Sequence, residues 1–280
     1  MHTVTAFIDG STYAASVCDH AAWAAARLQA PVVLVHALGR PDSSSAPADL
    51  SGNLRLGARR SLLEKLARHD EERAALAVER GRALLDDARG RVSARADLQI
   101  DTRLRRGDPV EALEEVQATT RLALIGKRGE DASSEMVHLG SNLERLVRSA
   151  TRPVMVVSRS FRPVERLLIA FDGGPSAVRA VDRVCESPLL QGAEIHILTA
   201  GGEATRLQTA AEKLRAAGFT VHDHRADGAP EEVISAAVRE HDAGLLVLGK
   251  SGHSRLRQLF IGSTTLELMR SCQVPVLVFP

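Results

Sequence analysis

Near the end of the chain, "GLLVLGKSGHSRLRQLFIGST" runs from Gly244 to Thr264. Gly244, Gly249, Lys250 and Ser251 satisfy G-x-x-x-x-G-K-[ST], the pattern of a loop whose backbone N–H groups wrap nucleotide phosphates. That chemistry needs a loop between the glycines and a helix starting at the Lys-Ser end. Here the intervening residues are Leu245, Leu246, Val247 and Leu248, which read as a buried strand. Ser251-Gly252-His253-Ser254 is a poor helix start. The pattern therefore spans a strand and its exit. Lys250 is expected in the loop beyond that strand, as a surface charge of modest consequence.

A different spacing remains. Gly249 ends a strand, Gly252 follows, and Gly262-Ser263-Thr264 opens the last helix. Glycines 249, 252 and 262 remove side chains where backbone comes close to a ligand. Ser263 and Thr264 can cap the helix and offer hydroxyls. The free N–H groups and positive dipole end there favour phosphate, by roughly 0.3–1 kcal/mol. Asp172, followed by Gly173, stands at the exit of another strand and faces the same crevice. A carboxylate there can accept ribose hydroxyls.

The elements that position these residues occur twice. "TAFIDGS" at Thr5–Ser11 recurs as "IAFDGG" at Ile169–Gly174, and "RGDPVEAL" from Arg106 recurs as "DGAPEEVI" from Asp227. "LALIGKRG" from Leu122 recurs as "LLVLGKSG" from Leu245, and "GSNLERLVRSATRPVMVVS" from Gly140 as "GSTTLELMRSCQVPVLVFP" from Gly262. Asp9 and Asp172 are 163 residues apart, whereas Pro109 and Pro230 are 121 apart. The first copy thus carries about forty extra residues before its proline, an added loop and helix at about residues 39–90. The expected domains are 1–160 and 165–280, joined near "SRSFRPVER". In each copy short apolar strands alternate with helices, beginning with a strand at "TVTAFID" and a helix over Ala14–Leu28. That alternation gives an α/β fold of two doubly wound domains, each a parallel sheet flanked by helices. Ligands in such sheets bind outside the carboxyl ends of the strands.

Gly-x2-Gly-x9-Gly-Ser/Thr at Gly249–Thr264 resembles the ATP-binding motif of the universal stress protein family. The resemblance covers the chain twice, and a tandem member is the identification. It implies five-stranded, Rossmann-like domains of the adenine nucleotide alpha hydrolase type, and a site for ATP with or without Mg²⁺. It places Asp172 beside the ribose and base, and Gly249, Gly252, His253, Gly262, Ser263 and Thr264 around the phosphates. The first-copy counterparts are Asp9, Gly126, Gly129, Gly140, Ser141 and Asn142. There ten residues, not nine, separate Gly129 from Gly140, and Glu130 stands where the second copy has His253. An acid near a triphosphate is unfavourable, so the second copy ranks first. Asp-Gly-Gly at 172–174 and the short "TAGGEAT" suggest a shallow adenine pocket. In the family the final strands pair across a dimer interface. Here "PVMVV" and "PVLVF" should pair within one chain as an internal pseudo-dimer, which leaves a homodimer open.

Other features restrict function. Lys and Arg total 36 against 35 Asp and Glu, a formal net charge of +1. That gives no support for a nucleic-acid or membrane partner. The 3 cysteines are far apart in apolar contexts, as for buried thiols in a reducing compartment. A strand pattern almost at once, with no signal peptide and no apolar run long enough to span a bilayer, suggests the cytoplasm. His222-Asp223-His224 puts two imidazoles on one strand face, but no third ligand can be named and no metal site is expected. The helix of "RRSLLEKLARHDEERAALAVERGRALL" should have a solvated outer face. No nucleophile–base–acid set is visible. A nucleotide-binding regulatory protein is thus favoured over a slow ATPase or a nucleotide-free scaffold for another small ligand.

Overall fold

The computed structural model describes residues 2–39, 56–129, 141–250 and 261–280, and side chains throughout these except at 56–63 and 141–142. The first half runs β1 (Thr3–Phe7), α1 (Ala14–Leu28), β2 (Val32–Ala37), α2 (Leu56–Ser93) and β3 (Ile100–Arg105). It continues through α3 (Pro109–Val116), β4 (Thr120–Gly126), α4 (Ser141–Ser149) and β5 (Val154–Val157). The second half repeats the alternation as β6 (Arg166–Ala170), α5 (Pro175–Glu186), β7 (Glu194–Ala200), α6 (Ala204–Ala216) and β8 (Thr220–Ala226). It ends with α7 (Pro230–Glu240), β9 (Leu245–Gly249), α8 (Ser263–Ser271) and β10 (Val276–Phe279).

The strands form one ten-stranded sheet in the order β3-β2-β1-β4-β5-β10-β9-β6-β7-β8. Each half contributes a parallel block of five. At the centre β5 and β10 run antiparallel, with Met155 opposite Leu277. The two final strands pair within the chain, so neither apolar edge is left for a stranger. Strand side chains alternate between two core layers. Met155, Leu277, Leu167 and Val247 join α1, the end of α2, α5 and α6. Val154, Val276, Leu168 and Leu246 join α3, α4, α7 and α8 on the other face. Continuous apolar strands such as Leu245–Leu248 are what a sheet covered on both faces demands.

Helix α1 has the bounds its sequence suggests, and Ala21, Ala22, Ala24 and Ala25 let it lie close on the sheet. Over Glu64–Arg80, α2 is exposed or half-buried, and among its described side chains Leu85, Ala88 and Val92 near its end join the hydrophobic core. That end is tied by charge. Asp19 of α1 is 6% exposed and accepts from Arg91 Nε and Nη2, both at 2.8 Å, and from Arg95 Nη2 at 2.9 Å. The added helix is thereby anchored to the repeated core. Phe161, in the stretch between the halves, packs against α1, with the His20 ring edge-on at 4.9 Å. Cys18 and Cys272 are buried and Cys185 is half-buried, all as free thiols. No helix among the described residues is long and apolar enough to cross a membrane.

Candidate functional site

In the second half the chain leaves β6 for β7 on one side and later returns to β9 on the other. The strand order reverses between β6 and β9, where sheets of this kind bind ligands beyond their carboxyl ends. Asp172 lies there, two residues after β6. Its Oδ1 accepts the Gly174 N–H at 2.8 Å, a turn made with Gly173 in the left-handed region at φ +70°. Asp9 makes the same turn in the first half, accepting from the Ser11 N–H at 3.0 Å. Beside Asp172 is a cavity of about 370 Å³, walled by Gly173, Thr199, Gly201, Gly202 and Arg206. Arg206 donates to Gly173 O at 3.4 Å and pairs with Glu203 at 2.9 Å, so the acid at the rim has its own cation. A Cβ on Gly202 would lie 2.1 Å from Thr199 Oγ1, so a side chain there would have to displace the threonine.

The motif glycines divide by what approaches them. A Cβ on Gly249 would lie 2.5 Å from Ser176 Oγ and 2.8 Å from the Ala177 backbone nitrogen. A Cβ on Gly126 would lie 2.7 Å from Tyr13 Cβ. Ser176 and Tyr13 are counterparts in the repeat. At both positions the group that comes close is the start of a helix, α5 or α1, not a ligand. Gly129 differs, because its nearest neighbour is Asp9 Oδ2 at 3.6 Å. The structure thus brings those two first-half residues together.

Gly262 is the N-cap of α8, and its N–H donates to Lys250 O at 3.1 Å. No side chain caps this helix, contrary to the role expected of Ser263 and Thr264. The helix begins at Ser263 itself, so both hydroxyls lie past the capping position. Thr265 instead donates to Gly249 O at 3.1 Å and pins the first turn to β9. That turn carries no acid, and Ser263 is exposed. Helix α4 likewise begins at Ser141, followed by Asn142. Gly140, Gly252 and His253 lie outside the described residues.

Lys250 corrects the expectation of a surface charge. It is 7% exposed, and its ammonium donates to the carbonyls of Arg148 and, at 3.2 Å, Ala150, at the end of α4. Its counterpart Lys127 donates to Cys272 O at 2.6 Å, the C-cap of α8. Each half thus sends a lysine to a helix C-terminus of the other, where orphan carbonyls and the negative dipole end favour a cation. Burial pushes the pKa of both lysines down, with Arg148 adding to it at Lys250 and Arg128 at Lys127. The partners are carbonyls 100 to 145 residues away in sequence, which no local pattern announces.

A larger cleft of about 820 Å³ lies where β9 and β10 end and β1 and β4 begin, lined in part by Arg121, Arg152, Arg179 and Phe279. It includes neither Asp172 nor Gly262. Size alone therefore does not mark the site at the strand reversal.

Residues 1–158 and 200–280 match the universal stress protein family. The chain belongs to that family. A universal stress protein of Synechocystis sp. is 30% identical over 286 residues, covering 100% of both chains. The structure of a universal stress protein from Archaeoglobus fulgidus, 20% identical, aligns with a TM-score of 0.73 over 99% of this chain and 96% of its own. A functionally unknown protein of Pseudomonas aeruginosa, 18% identical, aligns with a TM-score of 0.59 over 100% of this chain and 92% of its own. This universal stress protein therefore shares its two-part fold with chains of very different sequence.

Proposed function

We propose that this universal stress protein binds an adenine nucleotide, ATP with or without Mg²⁺, in the crevice of its second half. The observation that carries the reading is the juxtaposition at the strand reversal. Asp172 stands at the exit of β6, and the uncapped, acid-free start of α8 follows the adjacent strand β9. A carboxylate suits the ribose hydroxyls, and the first turn of α8 suits phosphate. The cavity beside Asp172, about 370 Å³, falls within the usual range of ligand sites and would take the nucleoside end. Residues 1–160 and 165–280 act as an internal pseudo-dimer across β5 and β10, and binding changes how this assembly meets its partners in the cytoplasm. The first half is the weaker site, because Glu130 puts an acid where the second half has His253, and ten residues rather than nine separate Gly129 from Gly140.

The protein is purified without added nucleotide, extracted for bound adenine nucleotide, and then given ATP and Mg²⁺. The expected result is loading of about one nucleotide per chain with turnover well below ~1 s⁻¹, the low end of ordinary enzymes. Turnover at enzyme rates would favour an ATPase. Failure to load would favour a scaffold for another small ligand.

A further inference from the structure

At the outer edge of the second half, four histidines converge. His196 is on β7, His222 and His224 are on β8, and His241 is the C-cap of α7. Parallel pairing sets His196 beside His222 and Leu198 beside His224, so these side chains share one face. The His241 ring stacks on His196 at 4.2 Å and on His224 at 4.5 Å. His196 Nδ1 and His224 Nε2 are 3.0 Å apart. One ring nitrogen from each of His196, His224 and His241 lies within 4.8 Å of the other two. Around a tetrahedral zinc, with Zn–N near 2.0–2.1 Å, such nitrogens are about 3.3 Å apart. The rings lie nearly parallel, 11–22° apart, so they must turn out of their stack to aim these nitrogens at one ion. The sequence showed two of these residues; β7 and the end of α7 supply the rest.

We propose that His196, His224 and His241 form a zinc site, with the fourth position open to water. Three imidazoles suit zinc and its neighbours in the transition series, and not magnesium or calcium, which take oxygen. A carboxylate stands beside the cluster. Glu194 Oε1 lies 2.7 Å from His222 Nε2 and 3.8 Å from His196 Nε2. Its short contact is to His222, and at 3.8 Å it lies near the His196 ring without a hydrogen bond to it. Access comes from the side, since β8 is an edge strand.

The fold itself does not require these rings. In the first half, the positions of His196, His222 and His224 are held by Val33, Asp101 and Arg103, paired in the same register. Val33 is 4% exposed and packs in the core, whereas His196 is 8% exposed and brings a polar ring to the same place. Burying that ring costs free energy unless its nitrogens are satisfied.

The test uses the full chain without an affinity tag, stripped with a chelator, and with Cys185→Ser in every background to remove a competing thiol. Zinc is titrated by calorimetry, and the Tm is read with and without zinc. One zinc should bind per chain, and magnesium should not. Affinity should fall at least about tenfold in His224→Ala and His241→Ala, and less than about threefold in His222→Ala. His196→Val, which installs the first-half residue, should fold and lose the zinc-dependent rise in Tm. That rise is measured within each variant, so it does not depend on starting stability. No saturable zinc binding by the parent, or undiminished binding in both His224→Ala and His241→Ala, overturns the proposal.

Discussion

Gly249→Ala unfolds at clearly lower urea than the parent, with a loss of about 2–4 kcal/mol. The added Cβ would sit 2.8 Å from the Ala177 nitrogen and 2.9 Å from the Ser176 carbonyl carbon. These are backbone atoms in the first turn of α5, so no rotamer change relieves the clash. The helix must lift from β9, and with it Ala177, Ala180 and Val181 of the core. Gly262→Ala is the contrast. A Cβ there meets nothing closer than Thr265 Oγ1 at 3.8 Å, and its backbone is extended at φ −63°. Its cost should stay below about 1 kcal/mol. Equal midpoints for the two variants would remove the packing account of Gly249. Weak nucleotide binding in Gly249→Ala would then report a displaced helix rather than a lost ligand contact.

Lys250→Ala should also destabilise the chain, by about 2–4 kcal/mol in urea or thermal unfolding. It empties a buried volume and strips the Arg148 and Ala150 carbonyls of their donor. Lys250→Met keeps the apolar stem and should lose less, because the cost of burying the charge goes with it. The pH dependence separates the two variants' parent from both. The folded-state pKa of Lys250 lies below the ordinary lysine value of 10.5. Between that lowered value and 10.5 the unfolded chain holds more protons, so this residue's contribution grows as pH rises and is lost as pH falls through the folded pKa. Lys250→Met should flatten that alkaline slope relative to the parent. Where Lys250→Ala is folded, its ATP affinity should change less than about threefold, because its ammonium serves α4 and not phosphate. Unchanged stability together with abolished ATP binding would restore the phosphate-loop reading of Gly244–Ser251.

The fold was legible because its signals are local and repeated. Leu245–Leu248 announces a doubly covered strand, the alanines of α1 announce a close-lying helix, and two copies in the same order fix the two-part plan. The pairing of β5 with β10 followed from the family resemblance, in which the final strands pair across a dimer interface. The site was legible only in outline. Glycine reads the same whether a ligand or a helix comes close, so Gly249 and Gly126 could not be told from Gly129. The acid held by Arg91 and Arg95, the crossed lysines and the histidine cluster depend on residues from separate elements. Asp19 and Arg91 are 72 residues apart, with β2 and the insertion between them, and His241 meets His196 only because α7 lies over β7. Spacing along the chain carries no trace of such contacts.

Nucleotide recognition is tested by titrating ATP into nucleotide-free full-length protein in a calorimeter, with the parent, Asp172→Ala and Asp9→Ala run side by side. Saturable binding by the parent is expected. Asp172→Ala should weaken it about tenfold or more, since a hydrogen bond to a charged group is worth about 1.5–3 kcal/mol. Asp9→Ala should weaken it less than about threefold. A parent that takes up no ATP, or an Asp172→Ala chain that binds it as the parent does, would contradict a nucleotide site in the second half.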